Sequence, residues 1–112
     1  MATQEEIEEI LEKIRKRKSK WVLSPRHKNL STLMALGVDN ITMFNIIDDK
    51  LSWRDYCEGP EPDNNHIPGD IWIFGLTIDD HQCYLKFQDR PDETVMWISI
   101  HDAEHPVELP YK

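Results

Sequence analysis

The chain has 112 residues, 39% hydrophobic, 30% charged and 9% aromatic, which fits one folded domain with a single modest core. No apolar run is long enough to span a bilayer and the acidic, amphipathic N-terminus is unlike a secretory leader, so a cytoplasmic protein with no membrane partner is expected. A net charge of −8, taken alone, argues against nucleic acid as a partner.

The first predicted element is a helix over residues 4–18. Ile7, Ile10, Leu11 and Ile14 recur as one apolar stripe, and Thr3 with Glu6 has the spacing of a capping box. Glu5, Glu6, Glu8 and Glu9 crowd its positive end, and Arg15, Lys16, Arg17 and Lys18 its negative end. Charge is unevenly placed from here on. Between Lys13 and Val38 there is no Asp or Glu, and eight of the 13 basic residues lie there; the rest of the chain carries 21 acids against five bases. Such asymmetry suggests a local anion-binding patch, with Arg15, Arg17, Lys18, Lys20, Arg26 and Lys28 as candidate phosphate ligands. The alternative is a helix end that complements its own dipole.

Trp21-Val22-Leu23 reads as a short strand stopped by Ser24-Pro25. A helix over 29–36 ends at Gly37, and Asp39 or Asn40 caps a third that runs through Ile47. Residues 51–59 fit either a strand or a bent turn of helix. Pro60, Pro62, Asp63, Asn64, Asn65, Pro68 and Gly69 mark a long loop of a kind that is often functional. Strands follow over 71–78, 82–88 and 94–101, separated by turns at 79–81 and 89–93, which reads as an antiparallel meander. The tail, 102–112, is expected to be extended. Helices first and strands after predict an α+β domain, with helices packed on one face of a small antiparallel sheet and the other face open to solvent. On the first meander strand, Trp72, Phe74 and Leu76 are the better core set.

Alternation along the last two strands carries the candidate chemistry. Cys83, Leu85 and Phe87 point one way, and Tyr84 and Lys86 the other; Met96, Ile98 and Ile100 share one face, and Trp97, Ser99 and His101 the opposite one. A hairpin that joins the apolar rows brings Tyr84, Lys86 and His101 onto the open face. A phenol, an ammonium and an imidazole there suit RNA cleavage in which the ribose 2′-OH attacks its own phosphate and the 5′-oxygen leaves. His101 would be general acid or base, Lys86 would stabilise charge on the phosphate, and Tyr84 would stack on a base or donate a hydrogen bond. Glu58 is a candidate general base, Arg54 a candidate phosphate ligand, and Trp97 a candidate stacking platform. The competing reading is the polar solvent face that most antiparallel sheets display.

Cys57 and Cys83 match no CxxC spacing and read as free thiols. His101 and His105 have a spacing that can hold zinc on a helix, but Pro106 follows at once and the segment looks extended. No metal site and no cofactor are implied.

Several short stretches together resemble the MqsR family, the motility quorum-sensing regulator toxins. They are Leu36-Gly37-Val38, Leu51-Ser52 with Asp55-Tyr56, Asp70-Ile71-Trp72, Tyr84-Leu85-Lys86, and Ile98-Ser99 before His101. The resemblance covers about residues 30–106, and its most telling part is Tyr84-x-Lys86 followed by Ser99-Ile100-His101. It implies that residues 1–112 form a single toxin-like α+β domain with a RelE-like fold. It also implies an mRNA interferase of a type II toxin–antitoxin system, with RNA, a cognate antitoxin and possible ribosome engagement as partners. Tyr84 falls where the family has an active-site tyrosine. His101 and Glu58 fall where better-known members have lysines, and Ile73 where they have a glutamine. Histidine at position 101 moves the chemistry from charge stabilisation toward acid–base work. The alternative within the same fold is a binding or regulatory module without catalysis, which the acidic surface and the replaced lysines favour.

Overall fold

A computed structural model describes residues 1–112. Three helices, α1 (Gln4–Lys16), α2 (His27–Leu36) and α3 (Asn40–Lys50), accompany five strands: β1 (Trp21–Leu23), β2 (Tyr56–Glu61), β3 (Asp70–Ile78), β4 (His81–Asp89) and β5 (Val95–Asp102). They form one α+β unit around a sheet of order β1-β5-β4-β3-β2. No single helix is long and apolar enough to cross a membrane.

Local chemistry sets the element ends. Thr3 and Glu6 close a reciprocal capping box on α1. Gly37, at φ +70°, ends α2 in a Schellman arrangement, with the N–H groups of Gly37 and Val38 bonded to the Met34 and Leu33 carbonyls at 3.1 Å. The Asp39 carboxylate accepts from the Thr42 N–H and starts α3. Asp79 and Asp80 both have positive φ, as a two-residue turn between right-twisted strands requires, and this fixes the β3–β4 register. The ambiguous segment after α3 resolves into a 3₁₀ turn (Trp53–Asp55) that leads into β2.

The sheet is antiparallel from β2 to β5 but mixed overall, because β1 pairs parallel with β5 (Trp21 beside Val95, Leu23 beside Trp97). Helices cover one face. The α1 stripe (Ile7, Ile10, Leu11, Ile14) joins Met43 and Ile47 of α3 over Trp72, Phe74, Leu85, Phe87 and Ile100. Burial of such side chains contributes roughly 1.5–3 kcal/mol each.

β5 departs from plain alternation. Lys86 pairs with Ser99, but the next pair is Phe87 with Trp97, so Ile98 is an extra residue and the strand is bulged. Across the bulge the facing reverses. Trp97 therefore turns into the helix-covered core, fully buried against Trp21 at 5.0 Å and Phe87 at 5.1 Å, while Ser99 and His101 stay on the other face. The expectation that Trp97 is a base-stacking platform on the open face is corrected: it is a core residue. Met96 and Ile98, expected in the core, are only partly buried for the same reason.

α2 seals the edge of β5 that β1 leaves uncovered. The fully buried Asn29 amide donates to the Ile98 carbonyl at 3.0 Å and to the Ser24 carbonyl at 2.9 Å, and its oxygen accepts from the Ile100 N–H at 2.9 Å. Thr32 Oγ1 accepts from the Asp102 N–H at 3.0 Å. Side chains of a helix thus stand in for a neighbouring strand.

The second sheet face is not left to solvent as its sequence suggested. The loop 62–69 is pinned at one end by the buried Gln88, whose amide donates to the Ile67 and Gly69 carbonyls at 2.8 and 3.0 Å. At the other end the C-terminal segment, 103–112, crosses as a strap. Gly75 lies beneath it: a Cβ there would stand 3.1–3.2 Å from the Val107 and Leu109 side chains, so the missing side chain lets the strap come down. Gln82 holds the strap through its carbonyl to the Ala103 N–H and its side chain to the Val107 N–H. Tyr111 ends the crossing against Trp53 and Tyr56 and donates to the Ala2 carbonyl at 2.5 Å, and Lys112 pairs with the buried Asp55 at 2.9 Å.

Candidate active site

Adjacent strands bring the candidate residues together on this second face. Tyr84 and His101 are direct cross-strand partners, with rings stacked at 5.5 Å and 22°. Lys86, two residues along β4, sits opposite Ser99. His101 is 9% exposed, so it is a floor residue of the face rather than a projecting one. Its Nδ1 lies 2.9 Å from the Asp102 carbonyl oxygen. A carbonyl only accepts, so Nδ1 carries the proton in this contact, and Nε2 keeps the free lone pair of the neutral ring.

Around this pair runs an open groove of about 440 Å³, floored by Tyr84 and His101, with Lys28 and Cys57 at its sides and Glu104, His105 and Val107 of the strap as a wall. Burial first, then the nearby Glu58, Cys57 and Glu61, push the Tyr84 phenol above its ordinary value, while Arg26 pulls the other way. Tyr84 is therefore a neutral donor and stacking surface, not a base. Burial likewise raises the Cys57 thiol, and Glu58 adds to it. Cys83, sealed on the core face, is pushed up to about 11 by burial. Neither thiol has the environment of a nucleophile.

The basic residues divide into two groups. In the first, charges are spent within the fold. Arg15 binds the Asp48 and Leu51 carbonyls and pairs with Asp48 at 3.4 Å. Arg17 pairs with Asp89 at 2.6 Å, Lys13 with the same carboxylate at 2.9 Å, Lys18 with Asp48 at 3.1 Å and Lys20 with Glu93 at 3.3 Å. These residues tie α1 to α3 and to the β4–β5 turn, away from the Tyr84–His101 pair. Arg54 lies over the Trp53 ring at 5.1 Å, just before the edge strand β2. The largest cleft, about 770 Å³ between α1 and the β4–β5 turn, is lined by such paired charges, Lys13, Arg17 and Asp89 among them. The expected basic patch over Arg15, Arg17, Lys18 and Lys20 is thus an ion-pair network in structure.

In the second group, Arg26 donates to Ser99 Oγ at 3.0 Å and to the Ile98 carbonyl at 3.4 Å, with no carboxylate partner. Lys86 lies between Ile73 and Ser99 in the ladder, and it lines a separate pocket with Glu61 and Asp63. Lys28 lines the groove, paired to Glu104. One guanidinium therefore holds the Ser99 hydroxyl, and Lys86 occupies the paired position on β4, two residues along the strands from the Tyr84–His101 pair. Sequence reading did not single out Ser99 as a site residue; its place between Lys86 and His101 on alternating strands was the available signal. Glu58, exposed on β2 opposite Ile73, lies outside the groove that holds Tyr84 and His101 and acts on Tyr84, with Glu61, only as nearby negative charge.

An imidazole stacked on a neutral phenol, with a guanidinium and an ammonium on the same part of the sheet, has the acid–base and charge-stabilising groups that phosphodiester transfer to a neighbouring 2′-OH uses. No protein-family model, no curated protein and no solved structure matches the chain.

Proposed function

We propose that this protein is an mRNA interferase toxin of the MqsR type, with a RelE-like fold, acting in the cytoplasm and held in check by a cognate antitoxin. The carrying observation is the stacked Tyr84–His101 pair, with Lys86 and Ser99 on the next rung of the same face and Arg26 bonded to Ser99 Oγ. In this reading His101 Nε2 takes the 2′ proton, Arg26 and Lys86 hold the phosphate as charge builds on it, and Tyr84 packs against a base. The products are a 2′,3′-cyclic phosphate and a free 5′-hydroxyl. The acid that protonates the leaving oxygen is the imidazolium once formed, or water. An antitoxin would cover the sheet face that carries Tyr84, Lys86 and His101.

The test is purified protein incubated with RNA, with and without ribosomes, and analysis of the new ends. Cyclic phosphate ends are expected, and His101→Ala should lower the rate by about 10²–10⁴-fold while the fold survives. Cleavage by His101→Ala at the wild-type rate removes His101 from the mechanism. Absence of cyclic ends from wild type under both conditions removes the nuclease.

A second reading, a binding module of the same architecture, draws on the acids at the groove, Glu104 and Glu108, and on Glu58 and Glu61 near Tyr84. It predicts occlusion of a partner without new RNA ends.

A further inference from the structure

The groove already holds a carboxylate where an RNA phosphate would lie. Glu104 is carried by the strap into a wall of the groove, is ion-paired to Lys28, and shares that groove with His101 and His105. The Lys28 side chain is about half exposed, so its pairing is with a group that solvent can replace. The strap itself is fixed at both ends: by Gln82 beside the site, and by Tyr111 and Lys112 at the far edge. Between these anchors its only ionic tie to the rest of the chain is Glu104 to Lys28. The carboxylate is thus presented at a set position rather than left on a free tail.

We infer that Lys28 is a phosphate-binding residue of this groove and that Glu104 is its intrachain competitor, a carboxylate standing in for one phosphodiester of single-stranded RNA. This rests on the proposed nuclease reading for the choice of RNA, but not on catalysis. Several consequences are physical. RNA entry exchanges one anion for another at Lys28, so the strap weakens binding without touching the Tyr84–His101 pair. The apparent affinity is reduced by the fraction of molecules in which Lys28 is engaged. The strap also supplies a reason for the basic charge of Lys28 to coexist with an acidic rim: the rim tunes the affinity of a cationic subsite rather than abolishing it.

The experiment measures binding of a 2′-O-methyl oligonucleotide of about ten nucleotides, a length typical of single-strand sites, which cannot undergo 2′ attack. Fluorescence anisotropy is followed against salt for wild type, Glu104→Gln, Lys28→Ala, the double variant, and Asp49→Asn as a charge control on the exposed side of α3. Glu104→Gln should tighten binding by about five-fold and steepen the log–log salt slope by about 0.7, the signature of one additional phosphate contact on a single strand. The gain should vanish in the Lys28→Ala background, and Asp49→Asn should show less than about a two-fold gain. Unchanged or weaker binding by Glu104→Gln, or an equal gain with Lys28 absent, overturns the inference. Cleavage of ordinary RNA is assayed in parallel. Wild type that binds in this pattern but never cleaves sinks the nuclease and leaves the subsite standing; wild type that cleaves while Glu104→Gln gains nothing sinks the subsite alone.

Discussion

On the helix-covered face of the β4–β5 ladder, Leu85, Phe87, Trp97 and Ile100 are completely buried. One residue away along the same strands, Tyr84, Lys86, Ser99 and His101 share the other face, where Tyr84 and His101 floor a groove walled by the strap. The first face is held by area and shape, and any truncation leaves a void. The second is held by a few directed contacts to backbone carbonyls and hydroxyls, so its side chains can be changed with little loss of fold. That contrast is what a site on a small scaffold needs: precision inherited from a packed layer, and chemistry placed where packing does not require it.

The comparison can be broken most directly by exchanging the roles of the two faces. Trp97→Ala should cost about 3–5 kcal/mol in urea unfolding, since it empties an aromatic cluster shared with Trp21 and Phe87. His101→Ala should cost only about 1 kcal/mol, the loss of a stacked pair with Tyr84. Equal destabilisation by the two would make the second face structural. Next in size is Asn29→Ala, expected to cost about 2–3 kcal/mol because it strands the Ile100 N–H and two carbonyls; a neutral result would mean that water replaces the amide at the strand edge.

A smaller effect tests the ion-pair network. Burial works against ionised Asp89, but bonds from Lys13 and Arg17 outweigh it and hold the carboxyl below its ordinary value. A depressed native value stabilises the fold above the unfolded value of about 3.9, and that contribution is lost as pH falls through the native one. Asp89→Asn should therefore lower stability by about 1 kcal/mol at neutral pH, and the gap should close as pH falls through the depressed native value of Asp89. A gap that persists in acid would point to packing instead. Smallest of all, Lys20→Ala should change stability by less than about 0.5 kcal/mol, because both it and Glu93 are exposed. On the proposed nuclease reading, Arg26→Ala, by contrast, should weaken RNA binding and flatten its salt dependence. If Lys20→Ala did so equally, the paired cations would belong to the RNA surface after all.

Local signals were readable where a residue acts on its own neighbours. The α1 stripe, the Thr3–Glu6 box, the Gly37 stop and the limits of β3, β4 and β5 follow from spacing within a few residues. The meeting of Tyr84, Lys86 and His101 on one face also follows from alternation, because the register of β4 and β5 is regular over those positions. What depended on distant partners was not readable. The parallel pairing of β1 with β5 spans some seventy residues. The facing of Trp97 turns on the Ile98 bulge, which nothing in the alternation of Met96 to His101 announces. The strap over Gly75 needed a contact between a strand and the far C-terminus. The basic run from Lys13 to Lys28 looked like one patch in sequence and is two in space, because Asp48, Asp89 and Glu93 come back to meet only its first part.

The added residue at Ile98 gives β5 a change of phase partway along its length. Upstream of it, odd-numbered side chains such as Trp97 serve the helix-covered interior; downstream, the odd positions 99 and 101 turn to the opposite face. Removing that residue would force one half of the strand to surrender its assignment, either expelling an indole or swallowing an imidazole. This strand should therefore tolerate insertions and deletions worse than replacements that keep its buried volumes.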